Sequence, residues 1–136
     1  MTDDDLWRAF HSRSLTAALW THEAHLRIAW MHLRRHPLDD AHILMRVGII
    51  LLNASHGLIE TPARGYHETI TRGFLVIIEG LVRGDAARDS REFLERHAAA
   101  LAKDALLGHF SRPLLESPQA RAAFVEPDLS PLPGRG

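Results

Sequence analysis

The sequence of 136 residues contains no cysteine, which excludes disulfides, thiolate metal sites and cysteine nucleophiles. A chain without cysteine fits the reducing cytoplasm, and any metal that it binds must use nitrogen and oxygen ligands. No apolar run approaches the roughly 18 residues of a membrane-spanning helix. The N-terminus, Met1-Thr2-Asp3-Asp4-Asp5, is acidic where a secretory signal would be basic. We therefore predict a cytoplasmic protein that has no membrane partner.

Several functional classes also lack support in the sequence. The 16 Lys and Arg residues are balanced by 17 Asp and Glu residues, and no basic run could follow a phosphate backbone, so nucleic acid is not an expected partner. A glycine-rich phosphate loop and the Gly-x-Ser-x-Gly motif are both absent. Nucleotide hydrolysis, flavin binding and the α/β-hydrolase mechanism therefore have no sequence signature.

What the sequence does contain is helical periodicity in its apolar residues, with no alternating segments typical of strands. We predict a single all-α domain over residues 1–136, built as a bundle of four main helices. These helices are expected over residues 14–35, 39–56, 66–82 and 89–103, after a short helical turn from Asp4 to Phe10. Short helices from residue 105 and an extended proline-rich tail over residues 126–136 complete the predicted fold.

The second predicted helix carries a narrow polar stripe formed by His42, Arg46 and Asn53, with His56 at its edge. Apolar residues cover the rest of its circumference, which predicts a central, mostly buried helix. The stripe is either the one solvent-facing window of this helix or part of a polar cavity. In the second case Arg46 must be paired, and it could bind a carboxylate through two hydrogen bonds.

Histidine is the unusual entry in the composition, with ten copies. In Trp20-Thr21-His22-Glu23-Ala24-His25-Leu26, His22 lies on the apolar stripe of its helix, and His25 lies at the edge of that stripe. In Gly65-Tyr66-His67-Glu68-Thr69-Ile70-Thr71, His67 shares a stripe with Phe74 and Ile78. Two helices are therefore expected to bring histidines to the core, which makes a buried polar site the leading hypothesis.

The first functional hypothesis is a metal-dependent enzyme that acts on a small polar molecule, such as one that bears a carboxylate. His22, His25 and His67 could hold a divalent transition metal such as Zn, Fe, Mn or Cu, with Glu68 or Glu23 as a fourth ligand or a base. The spacing lacks the second intervening residue of HExxH, so a metalloprotease gains no support. The candidate catalytic residues are His22, His67 and Glu68, and the candidate substrate-binding residues are Arg46, Asn53 and Tyr66.

Two alternatives stay open. Without a metal, His22 and His67 could act as general acid and base on a small acid held by Arg46, as in an isomerase, lyase or cyclase. Alternatively, the chain is a non-catalytic ligand-binding bundle in which the histidines are core groups with satisfied hydrogen bonds. Exposed tryptophans on a compact bundle also favour a homodimer.

The segments WTHEAHLRIAW, GYHETIT and FVEPDLSPLP resemble a bacterial family of conserved hypothetical proteins of about this length, over nearly the whole chain. The resemblance implies no substrate, and it identifies as motif positions His22, Glu23, His25, Tyr66, His67 and Glu68. A weaker resemblance is to helical-bundle metalloproteins of the DinB kind, which gather three histidines from their helices. The present chain departs from that pattern, because its close histidine pair is spaced by three residues and precedes the lone histidine.

Overall fold

The computed structural model describes residues 1–134, and Arg135 and Gly136 lie outside the described part. The chain folds into an all-α domain, with no strand between residues 1 and 134. The described part contains seven α-helices, α1 (Asp3–His11), α2 (His22–Leu33), α3 (Leu38–Ser55), α4 (Glu68–Val82), α5 (Ser90–Arg96), α6 (Arg112–Leu115) and α7 (Pro118–Ala122). Two short 3-10 turns, Ala17–Leu19 and Ala105–Gly108, join them. The predicted fold class is confirmed.

Helices α2 and α4 form the centre of the domain, because α2 packs against α1, α3, α4 and α5 while α4 packs against α2, α3 and α7. Their buried side chains include Ile28, Met31, Leu75 and Ile78, each no more than 2% exposed. Removal of such apolar surface from water is the main force that holds the bundle together. None of the helices in residues 1–134 is long and apolar enough to cross a membrane.

The first predicted main helix is shorter than expected. Helix α2 begins at His22 rather than near Ser14, because Thr21 has an extended backbone and its hydroxyl accepts a hydrogen bond from the Ala24 amide at 3.2 Å. A side chain that caps a helix in this way fixes its first turn. Of residues 14–21, which the prediction placed in this helix, only Ala17–Leu19 are helical, and they form a separate 3-10 turn.

Helix α3 has the predicted bounds to within one residue, but the prediction that it would be mostly buried is wrong. Its buried side combines apolar residues with part of the polar stripe, namely Ala41, His42, Met45, Ile49, Leu52 and Asn53. Its opposite side leaves Ile43, Leu44, Val47 and Leu51 between 37% and 52% exposed. Helix α3 lies at the edge of the bundle because its neighbours α1, α2 and α4 all lie on its buried side.

The C-terminal third wraps the bundle with short elements. Helix α5 ends at Arg96 rather than near Lys103, and residues 97–101 continue as turns. Residues 126–134 contain no helix or strand, as predicted for the tail, and residues 135–136 of that prediction lie outside the described part. Asp128 accepts hydrogen bonds from the Ser111 amide and hydroxyl at 2.7 and 2.6 Å, and Leu132 is buried, so the tail lies closely against the domain.

Candidate functional site

His67 is the N-cap of helix α4. Its Nδ1 accepts a hydrogen bond from the Ile70 amide at 3.0 Å, and its Nε2–H donates to the Leu115 carbonyl at 2.7 Å. Both ring nitrogens are therefore occupied by the backbone, and the imidazole must be neutral to serve both partners. Burial lowers the pKa of His67 and outweighs the hydrogen bond to Leu115, which acts in the opposite direction.

The other two predicted ligands, His22 and His25, line a separate apolar cavity of about 340 Å³ between α2, α3 and α4. His22 Nε2–H donates to the Leu101 carbonyl at 2.9 Å, and His25 Nδ1–H donates to the Thr21 carbonyl at 2.7 Å. The His25 ring stacks on Trp20 with 3.6 Å between ring centroids. Burial lowers the pKa of His25 to about 4, so this imidazole is neutral at pH 7.

The predicted ligand set of His22, His25 and His67 is not assembled. Across residues 1–134, no group of three or more His, Asp or Glu side chains is placed so that it could hold a metal ion. His67 does not line the cavity of His22 and His25, and its two nitrogens are engaged by the Ile70 amide and the Leu115 carbonyl. His67 therefore offers no lone pair to a ligand unless the first turn of α4 rearranges.

The residues that the structure does bring together surround Glu68 in the first turn of α4. Its Oε1 accepts hydrogen bonds from His42 Nε2–H at 2.9 Å, from the Tyr66 hydroxyl at 2.5 Å and from Arg46 Nε–H at 3.1 Å. Its Oε2 accepts a second bond from Arg46, at 2.5 Å from the guanidinium nitrogen. The two-pronged pairing fixes the plane of the Arg46 guanidinium. On the far side of His42, Nδ1 lies 3.4 Å from a guanidinium nitrogen of Arg72.

This cluster keeps the charge state of each member fixed near neutral pH. Burial alone would raise the pKa of Glu68, but the hydrogen bonds from Arg46 and Tyr66 together lower it below its usual range. Burial lowers the pKa of His42 despite its carboxylate neighbour, and burial together with Glu68 raises the pKa of Tyr66. Glu68 is therefore ionised and hydrogen-bonded at both oxygens, and neither His42 nor Tyr66 has a pKa moved toward neutrality, as an acid-base catalyst would need.

A second carboxylate, Glu60, is held beside the cluster by backbone geometry. It accepts hydrogen bonds from the Tyr66 amide at 2.7 Å and from Asn53 Nδ2 at 3.3 Å. A Cβ atom at Gly65 would overlap the Glu60 carboxylate, and Gly65 has a φ of +106°, which non-glycine residues rarely adopt. Gly65 therefore allows Glu60 to approach the backbone at this point.

The cluster forms one wall of a cleft of about 890 Å³ between α3, α4, α7 and the 58–67 connection. We call it the arginine cleft, because Arg46 and Arg121 both line it. Arg121 donates to the Gly65 carbonyl at 2.8 Å, so both guanidinium groups have fixed partners. The other lining residues are Ile50, Glu60, Thr61, Pro62, Tyr66, Glu68, Pro118, Gln119 and Ala122.

Four of the predicted site residues lie in or beside the cleft. Arg46, Tyr66 and Glu68 were predicted and meet in the cleft, and Asn53 supports it through Glu60. Glu60 and Arg121 were missed, because both come from irregular or short segments without periodicity. His42 was predicted as a member of the polar stripe. The signal for its role was the stripe itself, because a buried polar side chain needs a partner, which here is Glu68 on the next helix.

Comparison with known proteins found no match among family models, curated proteins or solved structures. The resemblance to a bacterial family of conserved hypothetical proteins stays a prediction.

Proposed function

We propose that the chain binds a small organic monocarboxylate in the arginine cleft. The observation that carries this proposal is the pairing of Arg46 with Glu68 at Nε and one terminal nitrogen. The Arg46 side chain is 39% exposed, so the remainder of its guanidinium is available to a ligand. A guanidinium whose plane is already fixed loses little side-chain entropy when it binds a carboxylate through two hydrogen bonds.

The charges in the cleft favour a monoanion over a dianion. Arg46 and Arg121 contribute two positive charges, and Glu60 and Glu68 contribute two negative charges, so the four lining groups sum to zero. A phosphate or dicarboxylate would bring a second negative charge close to Glu60, at an energetic cost. The lining residues Ile50, Pro62, Pro118 and Ala122 favour a ligand with an apolar body.

The proposal is for binding rather than for a reaction. Glu68 is poorly suited to act as a base, because its lowered pKa makes the carboxylate weakly basic and both oxygens already accept hydrogen bonds from His42, Tyr66 or Arg46. The metal-dependent enzyme that the histidine spacing predicted is not the function that this geometry favours. It stays a prediction, which elemental analysis of protein purified without an affinity tag would check.

The experiment is a binding titration with benzoate, its neutral counterpart benzamide and the dianion phthalate, followed by ligand-observed NMR. Benzoate should bind most strongly, because only benzoate supplies one carboxylate on an apolar ring. The Arg46→Gln variant should lose about tenfold or more in benzoate affinity, which is the effect of one two-pronged ionic contact.

The matched control is Arg96→Gln, since Arg96 has a similar exposed fraction of 44% and pairs with carboxylates outside the cleft. Its affinity should equal that of the parent. Equal binding of benzoate and benzamide, or equal affinity in the Arg46→Gln and parent proteins, would overturn the proposal.

A further inference from the structure

Helix α3 presents an exposed apolar face that the rest of the domain leaves uncovered. Of the eight large hydrophobic residues exposed in residues 1–134, four lie within nine positions on this helix, namely Ile43, Leu44, Val47 and Leu51. Ala54 is exposed on the same side. We call these five residues the α3 stripe. Single exposed apolar residues are ordinary, but a contiguous row along one helix indicates an interaction surface.

The spacing of the α3 stripe indicates that the partner is another helix. Leu44, Val47, Leu51 and Ala54 follow one another at intervals of three, four and three residues, which is the a and d pattern of a coiled-coil seam over two heptads. Ile43 and Ile50 flank one side of the seam, and Gly48 flanks the other. Arg46 is the only charged residue in 43–55, and it is paired with Glu68, so no unpaired charge interrupts the seam.

We infer that the α3 stripe is the interface of a homodimer in which two copies of α3 pack antiparallel across a two-fold axis. The stripe is self-complementary in an antiparallel pair, because each of its leucines, Leu44 and Leu51, then lies opposite a smaller residue of the second copy. A parallel pair would place the exposed Asp40 of both copies side by side on the seam, at a cost from like-charge repulsion, whereas Asp39 lies off the seam and is paired with Arg72. In the antiparallel pair the acidic ends are far apart, and each lies near the partner copy's uncharged Leu58.

The antiparallel arrangement fixes the register. When a positions of one helix pack beside d positions of the other, Val47 lies opposite Leu51 of the second copy, and Leu44 lies opposite Ala54. In this register the first residues of the 58–67 connection lie beyond each end of the seam, where the 78% exposed Ile59 adds apolar surface. Ile50 belongs both to the flank of the seam and to the lining of the arginine cleft, so the second copy lies beside the cleft opening.

The size of the interface predicts a dimer that dissociates on dilution. A stable interface buries about 800 Å² per partner, and a single pair of helices of this length, about 27 Å, supplies less than that unless the 58–67 connection contributes. We expect a dissociation constant in the micromolar range.

Sedimentation velocity of the full chain over a wide range of concentration tests the dimer. The parent should shift from monomer to dimer as concentration rises, and Leu51→Lys should weaken the dimer by about tenfold or more while keeping the parent's circular dichroism. Leu129→Lys is the matched control, because Leu129 is 59% exposed and lies on the C-terminal tail. A parent that stays monomeric throughout, or equal effects of Leu51→Lys and Leu129→Lys, would overturn the inference.

The lack of native cysteine allows a direct test of the register. The double variant Leu44→Cys with Ala54→Cys should form a disulfide-linked dimer under mild oxidation, because these positions face each other between copies. Leu44→Cys alone should link slowly, since its two copies lie at opposite ends of the seam. Rapid linkage of the single variant would show a parallel pair and refute the antiparallel arrangement.

Discussion

Replacement of Glu68 by Gln should destabilise the folded protein by about 3 kcal/mol at pH 7. Hydrogen bonds to a charged group contribute roughly 1.5–3 kcal/mol each, and Glu68 receives four of them from His42, Tyr66 and Arg46. The sum is reduced because Arg46 is 39% exposed and screened by water. It is reduced again because a glutamine oxygen in the place of Oε1 can still accept from His42, Tyr66 and Arg46 Nε–H. Only the bond from the terminal Arg46 nitrogen is lost, because the glutamine amide group faces it.

Urea unfolding followed by circular dichroism measures this loss. The control is Glu95→Gln, at an exposed position of helix α5, which should change stability by less than about 0.5 kcal/mol. The difference between Glu68→Gln and the parent should also depend on pH. Because the folded-state pKa of Glu68 is lowered, its ionisation stabilises the protein above the unfolded pKa of about 4.3, and this is lost as pH falls through the folded pKa. A loss below about 1 kcal/mol at pH 7 would refute this account, because it would mean that the carboxylate behaves as a solvated surface charge.

Three further perturbations follow from the described contacts. His67→Ala should lower the free energy of unfolding by about 2 kcal/mol, since it removes the α4 cap and the hydrogen bond to Leu115. His67→Asn should recover part of this loss. Equal stability of His67→Ala and the parent would contradict the capping role. Burial lowers the folded pKa of His25 and of His32 to about 4 from 6.5, so the unfolded chain binds more protons and stability should fall from about pH 6.5 to pH 4, by about 3 kcal/mol per histidine. A urea midpoint that is constant across that window would show that these imidazoles are solvated. Gly48→Ala should lower the thermal midpoint, because a Cβ at this position would lie 2.5 Å from Phe10 Cε2. Such overpacking costs about 1–3 kcal/mol, against about 1 kcal/mol gained in helix propensity. A raised midpoint would show that the helix propensity outweighs the overpacking.

Local signals in the sequence predicted the helices whose ends have clear stop residues. Pro37 precedes α3 and Gly57 follows it, and the observed helix from Leu38 to Ser55 lies between them as predicted. The start of α2 was predicted too early because Leu15 and Leu19 continue the apolar periodicity of the helix in the sequence. In the structure the helix begins only at His22, where the hydroxyl of Thr21 caps the Ala24 amide. A single capping residue such as Thr21 is a weaker signal in a sequence than the apolar periodicity that runs through it.

Periodicity could not reveal which face of α3 is buried. An apolar majority on a helix is compatible with full burial or with an uncovered interface, and only the number of neighbouring helices decides between them. For the same reason, the polar stripe of His42 and Arg46 was recognised while its buried partner Glu68 was assigned to the histidine site. Periodicity could not decide whether a histidine on an apolar stripe is a ligand or a core group, because the backbone hydrogen bonds that occupy His67 depend on Leu115, 48 residues away.

That distance along the chain has a consequence for synthesis. Residues of the C-terminal third make hydrogen bonds to the first turn of α4 and to the residues before it. The Thr69 hydroxyl donates to the Ala123 carbonyl and accepts from the Val125 amide, and Arg121 donates to the Gly65 carbonyl. When α3 and α4 have emerged from the ribosome, these partners are still missing until roughly forty more residues have been synthesised, which takes several seconds. The arginine cleft should therefore form last, so that the binding site exists only on a chain whose C-terminal segments have already docked.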